Sequence, residues 1–262
     1  MLYGAMNFPA KPILEELETI AELGFDYLEL TMDPPLSHHS IIREIKPNLM
    51  SRLGQLKMRL VCHLPSFLSI ADLTDSIREA SVQEMIASLE AAAELRAMKV
   101  VLHPPYMTGL GPMVPDLVRN LARSSMERIV ERANQLGLVL CVENMFVRTK
   151  SLAEPADFEG LFHDFPTLKL TLDIGHAHIE SRQTNRNLDF IRRFPDRLSH
   201  LHVSDNFGKD DNHLPIGAGS VDFRRISNAL REIEYSDTAT LEIFSRDKEY
   251  LRRSREKFAD LF

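Results

Sequence analysis

A chain of 262 residues with 44% apolar and 26% charged side chains can bury a large core, which excludes a disordered polymer. Its formal net charge of -7 gives no sequence-wide attraction to phosphate backbones or anionic lipid, and no apolar stretch approaches the roughly 18 residues a membrane span needs. The amino terminus, MLYGAMNFPAK, lacks a basic segment followed by an apolar one, and Cys62 and Cys141 sit singly in apolar runs, so a soluble cytoplasmic protein with reduced cysteines is expected.

In chain order, the first strand is expected at 2–6 (LYGAM), the second at 26–31 (DYLELT) and the third at 59–63 (RLVCH). Across 81–95, Val82, Met85, Ile86, Leu89 and Ala93 recur at helical spacing, and a fourth strand follows at 99–103 (KVVLH). The same period carries 114–133 through Val114, Leu117, Val118, Leu121, Ile129 and Val130, before a fifth strand at 138–143 (LVLCVE). Gly24 and Gly137 stand where a helix ends and the next strand begins. Strands six to eight are expected at 168–173 (LKLTLD), 198–203 (LSHLHV) and 239–244 (TATLEIF).

Alternation of short apolar strands with helical stretches is the pattern of parallel βαβ units. Eight such units in a chain of this length close into a (β/α)8 TIM barrel, one domain over 1–262, in preference to a doubly wound open sheet. No glycine-rich phosphate fingerprint follows the first strand, which weakens the open-sheet alternative.

Six of the eight strands end on residues with metal-binding or acid/base chemistry: His63, His103, Glu143, Asp173, His202 and Glu242. A barrel gathers these ends at one mouth, the face where such folds place their sites. Glu143 follows Val139 and Cys141 at period two and should point inward with them, and a buried carboxylate needs a cation or hydrogen-bond donors. By the same alternation His200 shares the direction of His202 but lies one layer deeper, as a hydrogen-bonded interior residue. Glu29 is read as a group pointing into the barrel behind the mouth. Three carboxylates and one imidazole form an oxygen-rich set suited to Mn²⁺, Mg²⁺ or Co²⁺, whereas further histidines shift preference toward Zn²⁺. His176, Asp211 and His213, in the loops after strands six and seven, could supply such additions.

At these residues the chain resembles the xylose isomerase-like TIM-barrel superfamily, which includes sugar isomerases, ketose 3-epimerases, inosose-processing enzymes and endonuclease IV. The motifs are CVEN at 141–144, LDIGHAHI at 172–179, HLHVSDNFGKDDNHLPIGAGSVDF at 200–223 and LEIF at 241–244. The resemblance implies that Glu143, Asp173, His202 and Glu242 hold a divalent metal. His176 and His213 match positions that contact substrate oxygens in epimerase-like members. In endonuclease IV the positions matching His63, His103, Glu143, Asp173, His176, His202, Asp211, His213 and Glu242 all ligate a trinuclear zinc site.

Two chemistries follow. As an isomerase or epimerase of a sugar or sugar phosphate, the protein would use the metal to stabilise an enediolate, with Glu143 and Glu242 as the acid/base pair on opposite faces. As an AP endonuclease, it would direct a metal-activated water at the phosphate of abasic-site DNA. Arg148 and Lys150 after strand five, Lys209 after strand seven and Arg246 after strand eight are sparse for a duplex track but sufficient for one sugar phosphate, with Arg148, Lys209 and Arg246 the phosphate candidates. Phe67 and Leu68 fit either a wedge into DNA or a lid over a small substrate. The small-sugar reading is favoured over nucleic acid by the acidic balance and by the sequence at 205–219. No membrane partner is expected, and the sequence leaves open whether the barrel is a monomer or a homo-oligomer.

Overall fold

Strands β1 (Leu2–Met6), β2 (Tyr27–Thr31), β3 (Arg59–His63), β4 (Val100–Leu102), β5 (Leu140–Glu143), β6 (Lys169–Asp173), β7 (Leu198–Val203) and β8 (Thr238–Leu241) pair in parallel in chain order. β8 returns to β1 with Leu2 opposite Thr238, which closes the barrel. The computed structural model describes residues 1–181 and 185–262.

Helices α1 (Ile13–Glu22), α2 (His39–Leu56), α3 (Asp75–Glu94), α4 (Pro115–Gln135), α5 (Pro155–Asp164), α6 (Ile174–His178), α7 (Arg186–Arg193), α8 (Phe223–Glu232) and α9 (Glu249–Ala259) connect or follow the strands. Each long helix turns one stripe to the sheet: Ile13, Leu17 and Ile20 on α1, or Val82, Met85 and Leu89 on α3, are all buried. These stripes meet the outward residues of the strands, such as Leu28 and Leu30, in one continuous core. Gly24 and Gly137 carry φ of 81° and 69° after α1 and α4, in the left-handed region expected of them.

The barrel interior is mostly polar. Its apolar part is a small cluster of Tyr27, Val61 and Val101 backed by Leu2 and Met98. Below it Lys99 Nζ reaches Asp237 Oδ2 at 2.5 Å and Ser199 Oγ at 3.0 Å, so the buried ammonium is paired at the floor. Toward the mouth the interior positions become Glu29, His200 and then the strand-terminal residues.

Several boundaries differ from the sequence expectation. β4 ends at Leu102 and β8 at Leu241, so His103 and Glu242 stand one residue beyond their strands; Glu242 continues the inward series of Thr238 and Thr240, its backbone N–H donating to Val203 O at 3.1 Å. Val139 precedes β5 and is 41% exposed, so the inward run begins at Cys141. Val114 and Leu117 are exposed, because α4 turns Val118, Met126, Ile129 and Val130 to the sheet instead.

Candidate active site and metal centre

The carboxyl mouth of the barrel opens into a cavity of about 600 Å³. His63, His103, Glu143, His176, His213 and Glu242 all line it. Asp173 and His202 lie directly beneath, almost wholly buried.

His202 Nδ1 is the point on which the acidic residues converge. Glu242 Oε1 lies 3.1 Å from it, Glu143 Oε2 3.3 Å and Asp173 Oδ2 3.8 Å. His202 Nδ1, Glu143 Oε2 and Asp173 Oδ2 are solvent-inaccessible and have no hydrogen-bond partner among the described residues. Leaving such groups unsatisfied is costly, and three donors of this kind facing one another form a set that a single divalent cation would satisfy. Asp173, His202 and Glu242 offer ligand atoms within 4.8 Å of one another, as do His63, Glu143 and His202, so the residues suit such an ion in chemistry.

Local sequence explains why the atoms meet. Asp173 ends β6 and caps α6, its Oδ1 accepting from the His176 backbone N–H at 2.6 Å, which leaves Oδ2 for the centre. Gly175 leaves room in the turn for Ser204, since a Cβ there would stand 2.6 Å from Ser204 Oγ and force that side chain to move. Asn144 ties β5 to β6, with Oδ1 accepting from Asp173 N at 2.8 Å and Nδ2 donating to Asp173 O at 3.1 Å.

Asp205 organises the loop after β7. Its two carboxylate oxygens accept backbone N–H groups from Asn206, Gly217, Gly219 and Val221 at 2.9 to 3.0 Å. A Cβ on Gly219 would stand 2.4 Å from the Asn206 carbonyl oxygen, so only glycine admits this folding. The loop thereby delivers Asp211 and His213 to the mouth, where Asp211 Oδ2 lies 3.2 Å from His176 Nε2 and 3.0 Å from His213 Nε2.

Three histidines are oriented by backbone carbonyls. The Nδ1 atoms of His63, His176 and His213 meet Leu64 O at 2.8 Å, Asn144 O at 3.0 Å and Glu242 O at 3.1 Å, turning each Nε2 toward the cavity or its carboxylates. His103 differs: its Nδ1 meets the Tyr106 hydroxyl at 2.7 Å and its Nε2 faces Glu143 Oε2 at 3.2 Å. The remaining wall mixes aromatic and apolar residues such as Phe8, Phe67, Met145, Phe146 and Phe244 with polar ones that include Asn7, Asp33 and Tyr106. Asp33 holds the loop carrying Phe67, with Oδ1 accepting from Ser66 N at 2.9 Å.

The charges are strongly coupled. Burial opposes ionisation of Glu143, but the His202 and His103 imidazoles overcome it and hold the carboxyl well below the usual range. Burial pushes Asp173 up to about 7, with Glu143 and Glu242 adding to the effect against His176. Burial disfavours the charged form of His202, yet Glu242, Glu29 and Glu143 carry its pKa well above the ordinary value. At His213 burial is likewise outweighed by Asp211 and Glu242, giving a pKa of about 9.

All nine mouth residues singled out in the sequence thus lie together. The phosphate candidates do not join them. Arg148 pairs with Asp210 at 3.1 Å and Glu180 at 3.5 Å, and with Lys209 it lines a separate groove outside the mouth. Arg246 is exposed, and neither Lys nor Arg occurs among the described residues lining the cavity. Sequence reading missed Tyr106, Asp33 and Asn144; only Asn144, inside CVEN, lay in a motif that could have pointed to it. His200 and Glu29 are where the alternation put them, fully buried and 2.9 Å apart. His38 and His39 form a separate half-buried cluster, both bonded to Glu84, at the start of α2.

Comparison with known proteins gives a consistent picture. A family model described as a xylose isomerase-like TIM barrel matches residues 17–261. The uncharacterized protein MJ1311 of Methanocaldococcus jannaschii is 29% identical, over 98% of this chain and 90% of its own length. A solved structure, that of a D-tagatose 3-epimerase-like protein, superposes with a TM-score of 0.84 at 28% identity, covering 99% of each chain. The probable endonuclease 4 of Aquifex aeolicus is 23% identical over 90% of this chain and 89% of that one.

Proposed function

The chain belongs to the xylose isomerase-like TIM-barrel family, and from that premise we propose that it is a divalent-metal-dependent epimerase or isomerase of an unphosphorylated sugar. The observation that carries this reading is the convergence of Glu143, Asp173 and Glu242 on His202 Nδ1, with three buried atoms that make no hydrogen bond among the described residues. Glu143, Asp173, His202 and Glu242 would hold the cation, here Mn²⁺, Mg²⁺, Co²⁺ or Zn²⁺. When bound, the ion would supply positive charge to two adjacent oxygens of a hydroxy-carbonyl substrate, lowering the cost of the enediolate.

Proton movement falls to the two glutamates, which come from β5 and from the residue after β8. The ionised Glu143 takes the proton from the carbon between the two oxygens, and the C–H electron pair moves into the enediolate. Glu242 carries the second proton, giving it to the opposite face and restoring the C–H bond with inverted configuration. His176 and His213 are placed to hold substrate hydroxyls, and the aromatic wall excludes water and packs the sugar's C–H faces. Arg148 and Lys209 line a separate groove and none of Arg148, Lys209 and Arg246 is among the described residues lining the cavity, which supports a substrate without phosphate.

A second reading, an AP endonuclease with several zinc ions, is favoured by one observation: His63 and His213 each present Nε2 with Nδ1 fixed by a carbonyl, the posture of a metal-bound imidazole. Against it stand the carboxylate-rich, aromatic mouth and the net charge of -7. Incubation with neutral ketoses in deuterated water, alongside abasic-site DNA, tests the two. Deuterium gained at the carbon beside the carbonyl is the expected result; strand cleavage without exchange overturns the epimerase reading.

A further inference from the structure

One buried charge is not used by the mechanism above. Glu29 stands on β2, across the barrel interior from β7, with no exposure to solvent. Its Oε1 lies 3.0 Å from His202 Nε2, its Oε2 2.9 Å from His200 Nε2, and Thr240 Oγ1 donates to Oε2 as well. A carboxylate so deep is stable only if its lone pairs are met by donors, and here both imidazoles and a hydroxyl meet them.

The geometry points to Glu29 as the positioning residue of the metal centre: by accepting the His202 Nε2–H bond it fixes His202 with its Nδ1 lone pair aimed at the three converging carboxylates. A histidine free of such a partner can carry its proton on either nitrogen and rotate about its side-chain bonds. With Nε2–H held by an anion, Nδ1 is the nitrogen left to ligate, and its basicity is raised. Tyr27 and His200 complete the scaffold: the Tyr27 hydroxyl bonds Thr240 Oγ1 at 2.7 Å, and His200 Nδ1 bonds Thr238 Oγ1 at 2.7 Å. Glu29 is therefore clamped from β7 and β8 while it clamps His202. Its two imidazole contacts look alike but have different consequences, since only His202 reaches the mouth.

This inference rests on the proposed metal centre, and direct titration of the metal-stripped protein with Mn²⁺, Co²⁺ and Zn²⁺ separates the two. Glu29→Gln keeps an acceptor but removes the charge, Glu29→Leu removes both, and His200→Gln removes only the other imidazole. We expect about tenfold weaker binding for Glu29→Gln, about a hundredfold for Glu29→Leu, and for His200→Gln, which reaches the centre only through Glu29, a smaller loss than for Glu29→Gln, with fold checked by circular dichroism. If Glu29→Leu does not fold, Glu29→Gln alone decides. Parental affinity in a folded Glu29→Gln overturns the assignment, as does an equal loss in His200→Gln, which would mark a general disturbance of the interior. A parent protein that takes up none of the three ions overturns the metal centre itself.

Discussion

Glu242 Oε1 lies 3.1 Å from His202 Nδ1, although Glu242 follows the last strand and His202 belongs to the one before it. Glu143 reaches the same nitrogen at 3.3 Å. The two glutamates thus meet at one imidazole nitrogen while coming from different strands of the barrel. That arrangement allows proton removal on one face of a substrate and delivery on the other.

Replacing either glutamate by glutamine keeps an oxygen that can ligate but removes the proton carrier. Glu143→Gln and Glu242→Gln should each lower kcat by about 10²- to 10⁴-fold in the epimerisation assay. Metal content measured on the same samples should stay near the parent value. Loss of metal in step with loss of activity would instead make them ligands alone.

Metal uptake should depend on pH with a definite sign. In the metal-free protein burial pushes the Asp173 carboxyl up to about 7, and the surrounding carboxylates raise His202 well above its ordinary value, so at neutral pH the centre carries protons that a cation must displace. Apparent affinity should therefore rise between pH 6 and 9, by up to about tenfold per pH unit for each proton released. Calorimetric titration in buffers of different ionisation enthalpy reads both the affinity and the proton count; pH-independent binding without proton release would contradict the assignment.

Gly219→Ala should unfold the loop that carries Asp211 and His213. Its new methyl would stand 2.4 Å from both the Asn206 carbonyl oxygen and Asp205 Oδ1, so backbone must shift. A cost of about 1–3 kcal/mol and a melting temperature lowered by several degrees are expected. Affinity for substrate should fall more than the stability loss alone explains.

Substrate charge provides a separate check. With carboxylates and aromatic rings around the cavity and the nearby arginine paired outside it, a neutral ketose should be turned over with a kcat/KM at least about tenfold above that of its phosphate ester. Equal or reversed preference would show that a cation outside the described lining reaches the substrate.

The barrel was legible because eight apolar runs alternate with helical stretches, and a barrel necessarily brings their carboxyl ends together. That is why residues as distant in sequence as His63 and Glu242 could be assigned to one mouth. What the pattern could not carry was direction at the edges. Val139 continues the period-two series of Cys141 and Glu143 but precedes β5 and faces solvent. Val114 and Leu117 fit a helical stripe, yet packing selected the adjacent stripe through Val118. Arg148 lay in a mouth loop, but pairing with Asp210 and Glu180 draws it outward, an outcome set by loop geometry rather than by local sequence. Tyr106 and Asp33 escaped notice because their roles exist only through a partner, His103 in one case and the Ser66 backbone in the other.

We propose that Glu143, Asp173, His202 and Glu242 hold a divalent cation. Elemental analysis of the metal-stripped protein after dialysis against limiting Mn²⁺, Co²⁺ or Zn²⁺ tests this most directly, with Asp173→Ala and His202→Ala, which remove the ligating atom altogether, beside the parent. At least one ion retained per parent chain, with retention lost in both variants, is the expected result. A parent chain that retains no ion, or variants that retain as much as the parent, would contradict it.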